Sequence, residues 1–149
     1  GPGKTHLLAA TVNAAQPGPA WYFTLPDLLD RLRSSYRQDD YDVFFGDLCA
    51  VPLLALDEVD RANLTDWAGE KVYQLIEARY RHLAERASLF ALNGDPRAML
   101  SQDLGAPLAY LYSRMLDQRA RLVRLAGPDV RPVAGKLWRS TGRENGDKA

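Results

Sequence analysis

The chain has 149 residues, 46% of them hydrophobic, which is enough for one globular domain with its own core. Lysine plus arginine and aspartate plus glutamate both number 19, so no global charge advertises nucleic acid and any such contact must come from a local patch. One cysteine (Cys49) excludes an internal disulfide, two separated histidines (His6, His82) argue against a metal cluster, and no signal peptide or apolar run of membrane-spanning length is present, so the expectation is a soluble cytoplasmic protein with no membrane partner.

The chain opens on Gly1-Pro2-Gly3-Lys4-Thr5, the closing residues of the phosphate-loop pattern G-x-x-x-x-G-K-[ST]. In that pattern glycines let backbone N–H groups turn inward around phosphate oxygens, the lysine reaches the terminal phosphates and the hydroxyl ligates magnesium. A bare Gly-Lys-Thr also recurs by chance. The helix formers of residues 7–15 follow directly, so the loop's helix would aim its positive end at the same anion. Pro17-Gly18-Pro19 ends it, and Trp21-Tyr22-Phe23-Thr24 reads as a short strand. Thr24 before Pro26-Asp27 marks a helix start, with Leu28, Leu29, Leu32 and Tyr36 on one face. Residues 34–42 read as a break or exposed insertion, and 44–51 fit neither pattern cleanly.

Pro52-Leu53-Leu54-Ala55-Leu56 is an apolar run ending in Asp57-Glu58, which suits a strand buried on both faces of a parallel sheet. Thr65-Asp66 caps a long helix expected to reach about Arg86, with Val72, Leu75, Ile76, Arg79 and Tyr80 at helical spacing. Residues 88–92 form another short strand stopped by Asn93-Gly94-Asp95-Pro96. Short helices near 97–102 and 108–116 follow, then a last strand at 121–125 and a turn at Gly127-Pro128. From Gly135 the chain is polar, so residues 1–134 read as the domain and 135–149 as a flexible tail.

Helices alternating with short apolar strands predict an α/β parallel sheet with helices on both faces. A phosphate loop normally hangs from a strand, and here nothing precedes Gly1. With no initiator methionine, the expectation is a fragment whose central strand lies upstream and whose nucleotide binding in isolation is weak.

The chemistry rests on pairing Lys4-Thr5 with residues 53–58. A buried strand would present Asp57 to a magnesium ion at its tip and leave Glu58 to polarise the attacking water. The alternative is a surface turn with two solvated carboxylates.

Taken in order, these motifs resemble the AAA+ ATPases of the DnaC/DnaI helicase-loader group, close relatives of the IstB-type transposition helpers. The resemblance is carried by Gly1 to Leu7, Phe23-Thr24 with Asp27-Leu28-Leu29, Leu53 to Glu58, Trp67-Ala68 with Glu70-Lys71, and Arg79-Tyr80. It continues with Asn93, Ser113-Arg114-Met115 and Gly127-Pro128-Asp129-Val130-Arg131. It implies a P-loop NTPase fold, ATP held with Mg2+ on Gly1, Pro2, Gly3, Lys4, Thr5 and His6, and metal contacts from Thr5 and Asp57. Glu58 would be the catalytic carboxylate and Asn93 the sensor-1 residue. Arg114 would be an arginine finger acting on a neighbouring subunit of a homo-oligomer, and Arg131 a sensor-2 arginine. Implied partners are single-stranded DNA and a replicative helicase.

Blander readings stand beside these. Asn93-Gly94 makes a turn unaided, Arg114 and Arg131 are equally at home on a surface, and His6 reads as a packing or capping residue. Two departures from the family pattern bear on hydrolysis: Val59-Asp60 stands where a glycine is usual, and Leu92 precedes Asn93 where Ser or Thr is common. Arg31, Arg33, Tyr36 and Arg37 interleave cations with an aromatic, a mix suited to single strands, but also to a solvated helix face beside Asp39, Asp40 and Asp42. The rivals to a helicase loader are a transposition helper, a nucleotide-gated adaptor that scarcely hydrolyses ATP, and a small-molecule kinase.

Overall fold

The computed structural model describes residues 3–62, 64–102 and 105–127. Helix α1 (Lys4–Ala14) starts from Gly3, whose φ of 92° lies in the left-handed region where a side chain is strained. Strand β1 (Ala20–Thr24) runs straight into α2 (Leu25–Arg37), because the Thr24 hydroxyl accepts the Asp27 N–H at 3.2 Å and Pro26 suits the first helical turn. Helix α3 (Tyr41–Ala50) leads to strand β2 (Leu53–Asp57), followed by a 3-10 turn at Val59–Arg61. Helix α4 (Asp66–Tyr80), strand β3 (Ala87–Phe90), α5 (Pro96–Leu100) and α6 (Ala106–Met115) complete the series.

The strands form one parallel sheet in the order β1-β2-β3, with Ala20 opposite Leu53, Thr24 opposite Asp57, and Leu53 opposite Ala87. Side chains alternate across it. Ala20, Tyr22, Leu53, Ala55, Leu89 and Ala91 face Leu8 and Val12 of α1. Trp21, Phe23, Leu54, Leu56 and Phe90 face the larger core built with α2, α3, α4 and α6. Helices therefore cover both faces, as the sequence predicts. A β-carbon on Gly69 would stand 2.9 Å from Pro107 Cγ, so α4 and α6 pass closely there.

At the amino end of the sheet, Arg79 is 1% exposed. Its guanidinium donates to the carbonyls of Leu48 at 3.1 Å, Cys49 at 3.4 Å, Val51 at 2.8 Å and Ala87 at 2.6 Å, and to Ser88 Oγ at 2.7 Å. Burial pulls its pKa down to about 10, which still leaves it cationic at neutral pH.

Several boundaries differ from the sequence reading. The break expected over 34–42 shrinks to Gln38–Asp40, with Asp39 at φ 56°, and the ambiguous stretch is α3. Tyr36 leaves the apolar face of α2 and is 51% exposed, stacked on Tyr41. Helix α4 ends at Tyr80 instead of near Arg86; the chain turns through residues 81–85, and Arg79 one turn back is tied to Ala87 and Ser88. Residues 121–125 form no strand. Their alternation suits one, but they pair with no neighbour, and the outer edge of β3 carries no strand among the described residues. No helix among the described residues is long and apolar enough to cross a membrane.

Candidate functional site

Parallel strands end together, so the carboxyl ends of β1, β2 and β3 and the loops after them share one edge of the sheet. Asp57 closes β2 on the face that carries α1, at 4% exposure. Its Oδ2 accepts Thr5 Oγ1 at 2.6 Å and the Tyr22 hydroxyl at 3.0 Å, and its Oδ1 accepts the Glu58 N–H at 2.8 Å. Thr5 lies in the first turn of α1, 52 positions away in sequence. The structure thus brings the loop helix and the acidic strand tip into direct contact. Each donor offsets part of the cost of burying a charged carboxylate.

Tyr22 escaped the sequence reading. It pairs in register with Ala55, so it shares the sheet face of Asp57, two residues further on. Burial first, and the hydrogen bond to Asp57 second, push its phenol pKa up to about 12. It therefore stays protonated and donates across the physiological range. The strand alternation of residues 20–24 placed it on that face; the register of β1 against β2, which sequence does not give, placed it beside Asp57.

Glu58 sits immediately past β2 with φ 53° and ψ 36°, a left-handed conformation that costs a non-glycine residue on the order of 1 kcal/mol. Strain of this kind concentrates at functional sites. Its Oε1 pairs with Arg61 Nη1 at 3.2 Å. Asn93 lies beyond the end of β3, and its backbone N–H donates to Asp60 Oδ2 at 2.8 Å. Neither Asp60 nor Arg61 was singled out as a site residue from the sequence.

Lys4, the first residue of α1, shares with Asn93 and Arg114 a groove of about 1380 Å³ along the outer side of β3. Arg114, in the last turn of α6, lies between two rings, its Cζ 4.2 Å from the Tyr80 centroid and 4.5 Å from that of Tyr110. Its Nε is buried without a hydrogen-bond partner among the described residues. His6 is exposed on α1, and no side chain caps that helix. Gly1, Pro2 and Arg131 lie outside the described residues, as does the 135–149 tail.

The four residues with a possible nucleic-acid role separate into two sides. Arg31 reaches Asp40 at 2.9 Å and covers the Phe44 ring at 4.4 Å. Arg33 reaches Asp30 at 3.3 Å and lies 5.1 Å from the Trp67 ring. Residues two apart do not share a helix face. Tyr36 stacks on Tyr41 with centroids 4.1 Å apart, and Arg37 ends α2 in solvent.

For a cation, the donor set is a hydroxyl and a carboxylate, both hard oxygens. Among the described residues no group of three or more His, Cys, Asp and Glu side chains could hold a metal by itself. A hydroxyl and a carboxylate are oxygens of the kind that magnesium takes, one or two from the protein together with several waters and substrate phosphates.

No protein-family model and no curated protein sequence matches the chain. Solved structures do. The chain is similar to AMPPCP-bound DnaA from Aquifex aeolicus, with 22% identity and a TM-score of 0.69, over 95% of this chain and 43% of that one. It is also similar to the replication initiator DnaA bound to AMPPCP and single-stranded DNA, with 22% identity and a TM-score of 0.70, over 93% of this chain and 42% of that one. Against the DnaC helicase loader the values are 24% and 0.65, over 85% of this chain and 73% of that one. The chain thus spans less than half the length of the DnaA structures it matches. Likeness at this identity establishes the fold alone, a parallel α/β sheet with helices on both faces shared with the DnaA and DnaC structures.

Proposed function

We propose that this chain is the nucleotide-binding core of a cytoplasmic, helicase-loader-type ATPase that couples ATP binding and hydrolysis to single-stranded DNA and to delivery of a replicative helicase. The observation that carries the reading is the Thr5–Asp57 contact, which joins the phosphate-loop helix to the acidic tip of a buried strand. The fold shared with AMPPCP-bound DnaA and with the DnaC helicase loader supports it.

On this reading the residues divide the work between them. Gly1, Pro2 and Gly3 would offer backbone N–H groups to phosphate, with Lys4 as the mobile cation and His6 beside them. Thr5 and Asp57 would hold magnesium, which when bound neutralises developing charge on the phosphates. Tyr22 orients Asp57 by its hydroxyl. Glu58, at 41% side-chain exposure, can meet water and accept its proton. Asn93 would sense the terminal phosphate, and Arg131 would contact the nucleotide from its own subunit. Arg114 would act on a neighbouring copy in a homo-oligomer; held between Tyr80 and Tyr110, its planar cation keeps little freedom to lose on reaching an anion.

DNA contact through Arg31, Arg33, Tyr36 and Arg37 belongs to the same proposal. Its support is the exposed Tyr36 ring, stacked on Tyr41, and the single-stranded DNA bound by a structural neighbour. Magnesium-dependent binding of a fluorescent ATP analogue to the intact protein, lost in Lys4→Ala, tests the site. Stimulation of hydrolysis by single-stranded over duplex DNA tests the loader reading against a transposition helper.

One observation favours a second reading, an adaptor that binds ATP and scarcely hydrolyses it. Glu58 is already engaged by Arg61. Single-turnover hydrolysis equal in wild type and Glu58→Gln would support the adaptor.

A further inference from the structure

We infer that Asp60 is a positioning residue that locks the turn carrying Glu58 to the loop carrying Asn93, so that the two move as one unit. The inference rests on the ATPase reading above and adds to it a residue that the loader pattern does not supply. Asp60 sits in the 3-10 turn after β2 and sends its carboxylate across to the segment after β3. One oxygen, Oδ2, accepts two consecutive backbone N–H groups, from Asn93 at 2.8 Å and Gly94 at 3.2 Å. Charge-assisted bonds of this sort are roughly twice as strong as neutral ones.

The carboxylate continues a ladder that the backbone begins. Past the last strand pair, the Ala91 N–H donates to Leu56 O at 2.9 Å, and the Val59 N–H returns to Ala91 O at 3.2 Å. Asp60 then adds the third and fourth links, at the point where the two chains leave the sheet. On its own side the turn is closed by the Arg61 N–H on Glu58 O at 3.0 Å, and Val59 beneath it is 1% exposed. On the far side, a β-carbon on Gly94 would lie 2.8 Å from Met99 Cε, and the Asp95 side chain accepts the Arg97 N–H at 2.9 Å to start α5. The Asn93 loop is thus bounded by the sheet, Asp60 and α5.

The buried Tyr112 of α6 feels the same charge: after burial, Asp60 is the second cause raising its pKa. The carboxylate therefore lies where the turn after β2, the loop after β3 and the helix bearing Arg114 approach one another. A glycine at this position leaves both N–H groups without their carboxylate acceptor.

The test compares Asp60→Ala and Asp60→Asn with wild type in the intact protein, using two independent readouts. The first is amide hydrogen exchange at Asn93 and Gly94 in the absence of nucleotide. The second separates affinity for a fluorescent ATP analogue from the single-turnover hydrolysis rate. Asp60→Ala is expected to raise exchange at Asn93 and Gly94 by about tenfold or more while the amides of residues 54–56 keep their protection. Hydrolysis falls by about tenfold with affinity changed less than about threefold, because an interaction acting through Glu58 and Asn93 bears on the reacting state more than on binding. Asp60→Asn, nearly isosteric and still able to accept through its amide oxygen, falls between the two and covers the case in which Asp60→Ala does not fold. Unchanged exchange at Asn93 and Gly94 overturns the lock whether or not ATP is the substrate. Raised exchange with unchanged hydrolysis overturns the positioning role. A wild type that binds no nucleotide overturns the ATPase reading, and the positioning role with it, while exchange alone still decides whether the lock exists.

Discussion

The two ends of the sheet each bury one formal charge, and they bury it differently. At the amino end Arg79 is bound by four backbone carbonyls and one serine hydroxyl. At the carboxyl end Asp57 is bound by two side-chain hydroxyls and one backbone N–H. Carbonyls fixed in the backbone cannot rotate away, so the Arg79 cluster is a staple that joins α4 to the end of α3 and the starts of β2 and β3. Hydroxyls can turn and exchange partners. The Asp57 cluster is therefore able to admit an ion without unfolding anything.

The largest effect that sharpens this contrast belongs to the carboxyl end. If Glu58 is the proton acceptor proposed above, replacing it by Gln removes that acceptor and keeps the shape, so single-turnover hydrolysis is expected to fall about 10² to 10⁴-fold with ATP binding retained. Melting temperature should hardly move. At the amino end the pattern reverses. Arg79→Met leaves several carbonyls buried and unpaired, and denaturant unfolding should show a loss of about 3–5 kcal/mol. Arg79→Lys should recover little, since a single ammonium cannot span acceptors on α3, β2 and β3. A stable, inactive Arg79→Met variant would break the comparison.

Much of this was legible in the sequence, for reasons that differ between the ends. Apolar runs closed by Asp57-Glu58 and by Asn93-Gly94, with Thr24 and Thr65 as caps, marked β1, β2, the start of α2, the start of α4 and, within two residues, β3, because each depends on neighbours in the chain. The residues of Thr5 and Asp57 could be paired because a known chemistry demands both. Arg79 carried the right spacing for a helix face, but its burial depends on carbonyls 28 to 31 positions away, which no local pattern reveals. The strand expected at 121–125 failed for the same reason in reverse: alternation states a preference, and a ladder partner must satisfy it. Tyr22 and Arg61 were passed over, and Asp60 was noted only as a departure where a glycine is usual, because each acts through register or a turn, with no motif of its own.

Tyr22→Phe probes the middle of the range. It deletes one of three donors to Asp57 and should lower stability by about 1–2 kcal/mol at neutral pH, read from denaturant unfolding. The pH dependence has a defined sign. A phenol whose pKa is raised from 10.0 to about 12 in the folded state holds its proton more tightly folded than unfolded. Its contribution is complete below pH 10 and is lost as pH rises toward 12. The gap between wild type and Tyr22→Phe should therefore close over that window; no gap at neutral pH would mean that packing of the ring, which phenylalanine keeps, and not its hydroxyl, supports Asp57.

The smallest effect on stability concerns Arg61→Ala, and it tests whether Glu58 is restrained or merely accompanied. The pair is exposed, with side chains 63% and 41% accessible, so its loss should cost less than about 0.5 kcal/mol. Hydrolysis is the informative readout. If Arg61 holds Glu58 away from water, freeing it should raise the single-turnover rate by up to about twofold, the equivalent of that pair. An unchanged rate would place the restraint in the left-handed backbone of Glu58 itself, and Glu58→Gly, which relaxes that backbone but deletes the acid, cannot substitute for this measurement. A fall in rate would make Arg61 a partner that orients the carboxylate, drawing the carboxyl end closer to the fixed character of the Arg79 staple.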